Sequence, residues 1–148
     1  MKQPIFYFEK LKSFDKWAIG FYMALTFVLF SFTGTTNDFG IKSRVIFGYG
    51  FLTQICLYVF FYKSLRNLTV FFIWVVIGLF HLYLYSILKN DETLQMFRGH
   101  SATHLRNTVA LLFLYQLFRF LSAKIQGQEL VGPSRGSSTD LFEERRVN

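Results

Sequence analysis

The stretch LTVFFIWVVIGLFHLYLYSIL, Leu68 to Leu88, contains no Asp, Glu, Lys, Arg or Pro. As a helix it would rise about 31 Å, at about 1.5 Å per residue, which matches a bilayer core about 30 Å thick. Three further apolar blocks share its character: WAIGFYMALTFVLFSFT (17–33), VIFGYGFLTQICLYVFFY (45–62) and TVALLFLYQLFRFLSA (108–123). The chain is 52% hydrophobic, 20% aromatic and only 17% charged, far from the composition of a soluble domain. Helices of a soluble bundle keep a polar stripe at a 3.6-residue period, whereas the first three blocks have no charged residue. A transmembrane barrel needs strict alternation and many more segments. The sequence therefore predicts an all-α polytopic membrane protein with spans over 17–34, 45–63, 68–88 and 104–123.

The net charge of +7 is an orientation signal and argues no nucleic-acid partner, because the basic residues alternate by side of the predicted membrane. Lys2, Lys10, Lys12, Lys16, Lys63, Arg66, Lys124, Arg135, Arg145 and Arg146 fall on one side; Lys42, Arg44, Lys89, Arg98 and Arg106 fall on the other; Arg119 lies within the fourth block. An excess of Lys and Arg marks the cytoplasmic side, so both termini are expected there, with anionic lipid as a secondary attraction. The single cysteine, Cys56, leaves no intrachain disulfide and no multi-cysteine metal site.

Residues 1–16 mix Ile5, Phe6, Phe8, Leu11 and Phe14 with lysines behind Pro4, the composition of a helix lying on the interface. Residues 17–123 form the membrane domain, and residues 124–148 a flexible cytoplasmic tail rich in Gly and charge. Between the third and fourth spans, NDETLQMF (90–97) predicts a short helix capped by Asn90 or Asp91, ended by Gly99, with Leu94, Met96 and Phe97 on the membrane.

Four groups of residues are candidate sites. Arg98, His100, His104 and Arg106 gather before the fourth helix, where free N–H groups favour an anion or lipid head group; the plainer reading is an ordinary interfacial collar. His100 and His104 have the i, i+4 spacing of a metal pair, but with Ser101 or Thr103 as N-cap His100 precedes the helix, and no metal is assigned. His81 is the one ionisable side chain near a bilayer midpoint, a functional candidate by default. It shares a face with Trp74, Gly78 and Tyr85, and interhelical hydrogen bonding is its simpler use. Gln54, Gln116 and Arg119 complete the polar set. Gln116 is expected to pair with Gln54 or His81, and Arg119 to snorkel to phosphate. In the tail, DLFEERR offers Leu141, Phe142, Glu143 and Arg145 for docking a partner, in a segment too short to be helical alone.

No span carries Asp or Glu, none is broken by proline, and no nucleophile elbow, phosphate loop or metalloprotease helix is present. The expectation is a non-catalytic accessory or assembly subunit of a larger complex, in a bacterial inner membrane, with lipids and other subunits or its own copies as partners and no cofactor. The alternative is a lipid-modifying enzyme or small transporter using the outer Arg/His collar.

Overall fold

The computed structural model describes residues 7–97 and 99–126. Four long helices account for most of them: α1 (Ser13–Thr35), α2 (Phe39–Val59), α3 (Leu68–Leu88) and α4 (Thr103–Gln126). Among the described residues, α1, α3 and α4 are long and apolar enough to cross a membrane. Their outward faces are apolar, with Trp17, Phe21 and Phe27 on α1 more than 70% exposed. Side chains of that size facing outward from a helical bundle belong against lipid or another protein. The chain is an all-helical membrane protein.

Local chemistry sets the helix bounds. α3 covers its apolar block from end to end, started by Asn67, whose side chain accepts from the Thr69 N–H. α2 is displaced from the expected 45–63. Asp38 accepts the Ile41 N–H at 3.0 Å and starts the helix upstream of the apolar run, so that Lys42 and Arg44 fall inside it. The chain then turns at Phe60, and a single 3-10 turn, Ser64–Arg66, leads into α3.

Among the described residues the N-terminal segment is not the expected interfacial helix. Tyr7 bridges Asn67 in parallel, the Leu68 N–H donates to Tyr7 O, and the Asn67 side chain bonds both ways with the Glu9 backbone at 3.0 and 3.1 Å. Residues 7–12 are thereby held extended, and helix begins only at Ser13. Asn67 thus caps α3 and clasps the lead-in to α1 together, so α1 and α3 start at the same end of the bundle, the near end. α4 returns to it: Tyr115 donates to Tyr62 O, Gln116 to Leu65 O at 2.8 Å, and Arg119 to Arg66 O at 3.4 Å.

At the far end, residues 90–97 form no helix of the expected kind. Asp91 caps one 3-10 turn, Glu92–Leu94, and a small hairpin follows, β1 (Gln95–Met96) with β2 (Gly99–His100). Gly99 does not end a helix; it opens β2 opposite Met96 with φ 117°, a conformation that glycine adopts without strain. Leu94 is buried with Ile46, Tyr49, Ala102 and Leu105 instead of lying on the membrane, because burial in that cluster keeps its side chain fully from solvent and lipid. Met96 and Phe97 stay exposed. Two glycines bring the helices together: a Cβ on Gly50 would sit 2.9 Å from the His104 Cβ, and one on Gly78 2.9 Å from Val109 Cγ2. Arg98 and residues 127–148, with Leu141, Phe142, Glu143 and Arg145, lie outside the described residues.

Candidate functional site

Polar residues from all four helices meet around His81, which is 0% exposed. Its Nε2 lies 2.8 Å from the Tyr49 hydroxyl and 3.0 Å from that of Tyr22, and its Nδ1 lies 3.1 Å from Thr108 Oγ1. Tyr22 donates to Tyr49 at 2.8 Å. Thr53 stands 2.9 Å from the Tyr22 hydroxyl and Thr26 2.8 Å from that of Tyr49. Each helix therefore contributes: Tyr22 and Thr26 from α1, Tyr49 and Thr53 from α2, His81 from α3 and Thr108 from α4. Trp74 closes the cluster toward the near end, its ring edge-on to Tyr22 at 5.0 Å.

Every side-chain heteroatom of these six hydrogen-bonding residues has a partner within the cluster or on a helix backbone, whereas the buried Nε1 of Trp74 at its edge has none. The Thr26 hydroxyl donates to Tyr22 O at 2.8 Å and that of Thr53 to Tyr49 O at 2.7 Å, each one turn back on its own helix. A buried network with every member satisfied fixes helix register and rotation, because any other packing strands donors in hydrocarbon. Tyr22, Tyr49, Thr26 and Thr53 were not distinguishable from general aromatic content by composition. The signal is a repeated spacing: YMALT on α1 and YGFLT on α2 both place Tyr and Thr four apart, on one helical face.

Comparison with protein-family models, curated proteins and solved structures finds no match. The residues alone carry the assignment.

The collar before α4 disperses its members among separate partners. His100 sits on β2, with its Nδ1 accepting the Ala102 N–H and its Nε2 3.2 Å from Asp91 O; a neutral ring carrying its proton on Nε2 satisfies both bonds. His104 is in α4, edge-on to Phe47 and Phe51. Arg106 lies over the Tyr85 ring at 5.7 Å. His100 and His104 thus share no helical face, and no group of three His, Cys, Asp or Glu capable of holding a metal occurs among the described residues. Ser101, an expected cap, instead donates to Leu94 O, fastening the hairpin to the start of α4.

Three polar expectations are revised. Gln54 donates to the His104 carbonyl at 2.6 Å, and Gln116 to Leu65 O, so neither meets the other or His81. Arg119 does not snorkel. It is 1% exposed, and its Nη1 donates to Gln116 Oε1 at 3.0 Å as well as to Arg66 O. The turn between α2 and α3 presents carbonyls that no helix can satisfy, and α4 supplies the donors.

At the far end one ion pair joins α2 to the hairpin, Lys42 Nζ to Asp91 Oδ2 at 2.9 Å. The Thr93 hydroxyl, 2.6 Å from Oδ1, and the Lys42 ammonium hold the Asp91 carboxyl down at about 2. A carboxylate depressed in the folded state adds stability above its ordinary pKa of about 4, and that stability is lost as pH falls through about 2. Asp91→Asn is expected to speed amide exchange at Leu94 and Ser101 at neutral pH and to differ little from wild type near pH 2. Equal exchange at neutral pH would remove the ion pair from the account of the hairpin.

Proposed function

We propose that the chain is a non-catalytic accessory or assembly subunit of a larger membrane complex, in a bacterial inner membrane, crossing the bilayer four times with both termini cytoplasmic. The observation that carries this reading is that the imidazole at the centre of its polar interior is fully engaged by neighbouring helices. His81, the residue best suited to chemistry, has both ring nitrogens engaged by Tyr22, Tyr49 and Thr108. The collar residues His100, His104 and Arg106 each answer to a separate partner. What faces outward is a large apolar and aromatic surface, suited to neighbours in the plane of the membrane.

Four crossings are supported by the clasp between Tyr7 and Asn67. If α1 and α3 both cross and both begin at the near end, the chain must cross back between them, and α2 is the only connection. Its 21 residues rise about 31 Å, and Lys42 and Arg44 in its first turns can reach the far interface along their alkyl stems. The excess of Lys and Arg at the near end favours the cytoplasm for that side.

Purification of the full chain in mild detergent tests the reading, with reporters fused after Asn148, in Lys63–Asn67 and in Asn90–Gln95. A stoichiometric co-purifying membrane protein, with the first two reporters cytoplasmic and the third external, is the expected result. A catalytically active chain free of protein partners would overturn the subunit assignment, and reversed labelling the orientation.

A further inference from the structure

We propose that the groove between α2 and α4 holds one acyl chain of an anionic phospholipid from the cytoplasmic leaflet, with Lys63 at its head group. The inference rests on the crossing and orientation proposed above. α2 and α4 touch closely at the far end, where Gly50 meets His104 and Gln54 donates to the His104 carbonyl at 2.6 Å. Toward the near end they part, leaving a volume of about 520 Å³. Its walls are Phe51, Ile55 and Tyr58 from α2 and Leu111, Leu114 and Phe118 from α4. The floor is Leu65, fixed by Gln116 bonding to its carbonyl.

Lining and charge choose the occupant. The α2 wall runs from Phe51 to Val59, about 12 Å of helix, and the named wall residues are all aliphatic or aromatic. An apolar slot of that length accepts the extended hydrocarbon of one lipid chain. It opens sideways through exposed Ile55, Tyr58, Leu111 and Phe118, as entry from lipid requires. At its near end the turn after α2 places Lys63, exposed and over the Tyr62 ring at 5.8 Å, beside the Tyr62 carbonyl to which the groove residue Tyr115 donates. A lysine at that depth attracts an anionic head group.

The full-length protein, reconstituted in vesicles of phosphatidylcholine and phosphatidylglycerol and transferred to mild detergent, is read by native mass spectrometry. One retained phosphatidylglycerol per chain is expected, favoured roughly fivefold over phosphatidylcholine, and Lys63→Gln should abolish the preference while keeping the lipid. Leu111→Trp and Ile55→Trp, rim changes on opposite walls, should each lower retention roughly tenfold with helicity unchanged by circular dichroism. Wild-type protein that retains no lipid, or tryptophan variants that retain it undiminished, would overturn the proposal. So would tryptophan variants that shed a co-purifying protein and keep their lipid, since the groove would then seat a partner. An unchanged head-group preference in Lys63→Gln would overturn the role of that lysine. The topology reporters test the crossing and orientation independently, so a failure of the lipid experiment with reporters as expected falls on the groove alone.

Discussion

Gly50→Leu is expected to unseat α2 from α4 at the far end of the bundle. A Cβ at position 50 would lie 2.9 Å from the His104 Cβ and 3.3 Å from the Leu105 backbone nitrogen, and neither is the yielding tip of a long side chain. Even Gly50→Ala must push the helices apart, at about 1 to 3 kcal/mol for overpacking. The leucine variant should exceed that and release the Gln54 bond to the His104 carbonyl. Gly48, one residue pair earlier on α2, is the control. Nothing lies within 4 Å of its added Cβ, so Gly48→Ala should leave stability unchanged or raise it by up to about 1 kcal/mol through helix propensity. Thermal unfolding in a fixed detergent compares the four variants. If Gly50→Leu and Gly48→Leu melt alike, the close approach of α2 and α4 is not what seats the helix.

His81→Leu is the second large effect expected, about 2 to 4 kcal/mol. Interhelical hydrogen bonds in membranes average about 0.6 kcal/mol and reach about 1.7, and His81 makes three. Its removal also leaves the hydroxyls of Tyr22, Tyr49 and Thr108 with one partner fewer each, at a desolvation cost for any left unpaired. That asymmetry makes a sharper test than the single change. Adding Tyr22→Phe and Tyr49→Phe to His81→Leu should restore part of the lost stability, since the stranded hydroxyls go as well, whereas the two phenylalanines alone should destabilise. A His81→Leu protein as stable as wild type would show that the network contributes nothing to holding the helices, and the polar cluster would need another purpose.

The helices were legible because hydrocarbon imposes a simple code: runs of apolar residues long enough to cross, with no charge to strand. α3 matches its block at both ends for that reason. α2 slipped toward the N-terminus because a capping side chain, Asp38, outweighs the hydropathy boundary in deciding where helix begins. The lead-in at Tyr7 and the hairpin at Gln95 were hidden for a different cause. Both depend on partners distant in sequence, Asn67 for the first and the Ile46 and Leu105 cluster for the second, and amphipathic composition alone reads as helix. His81 stood out as the lone imidazole among apolar residues, and its partners did not, since eight tyrosines give no single one prominence. Arg119 was misplaced because snorkelling is the default for a cation near an interface, while the carbonyls of the turn between α2 and α3, which hold it inside, exist only once the fold is made.

The backward hydrogen bonds of the span hydroxyls bear on biogenesis. Thr26, Thr33 and Thr53 each donate to a carbonyl three or four residues earlier on their own helix, so these hydroxyls need no neighbour while the chain is being made. His81 has no such refuge, because the hydroxyls it meets lie on other helices. The imidazole is thus made after two of the three hydroxyls it meets, and when α3 is synthesised the phenols of Tyr22 and Tyr49 are already there to receive it.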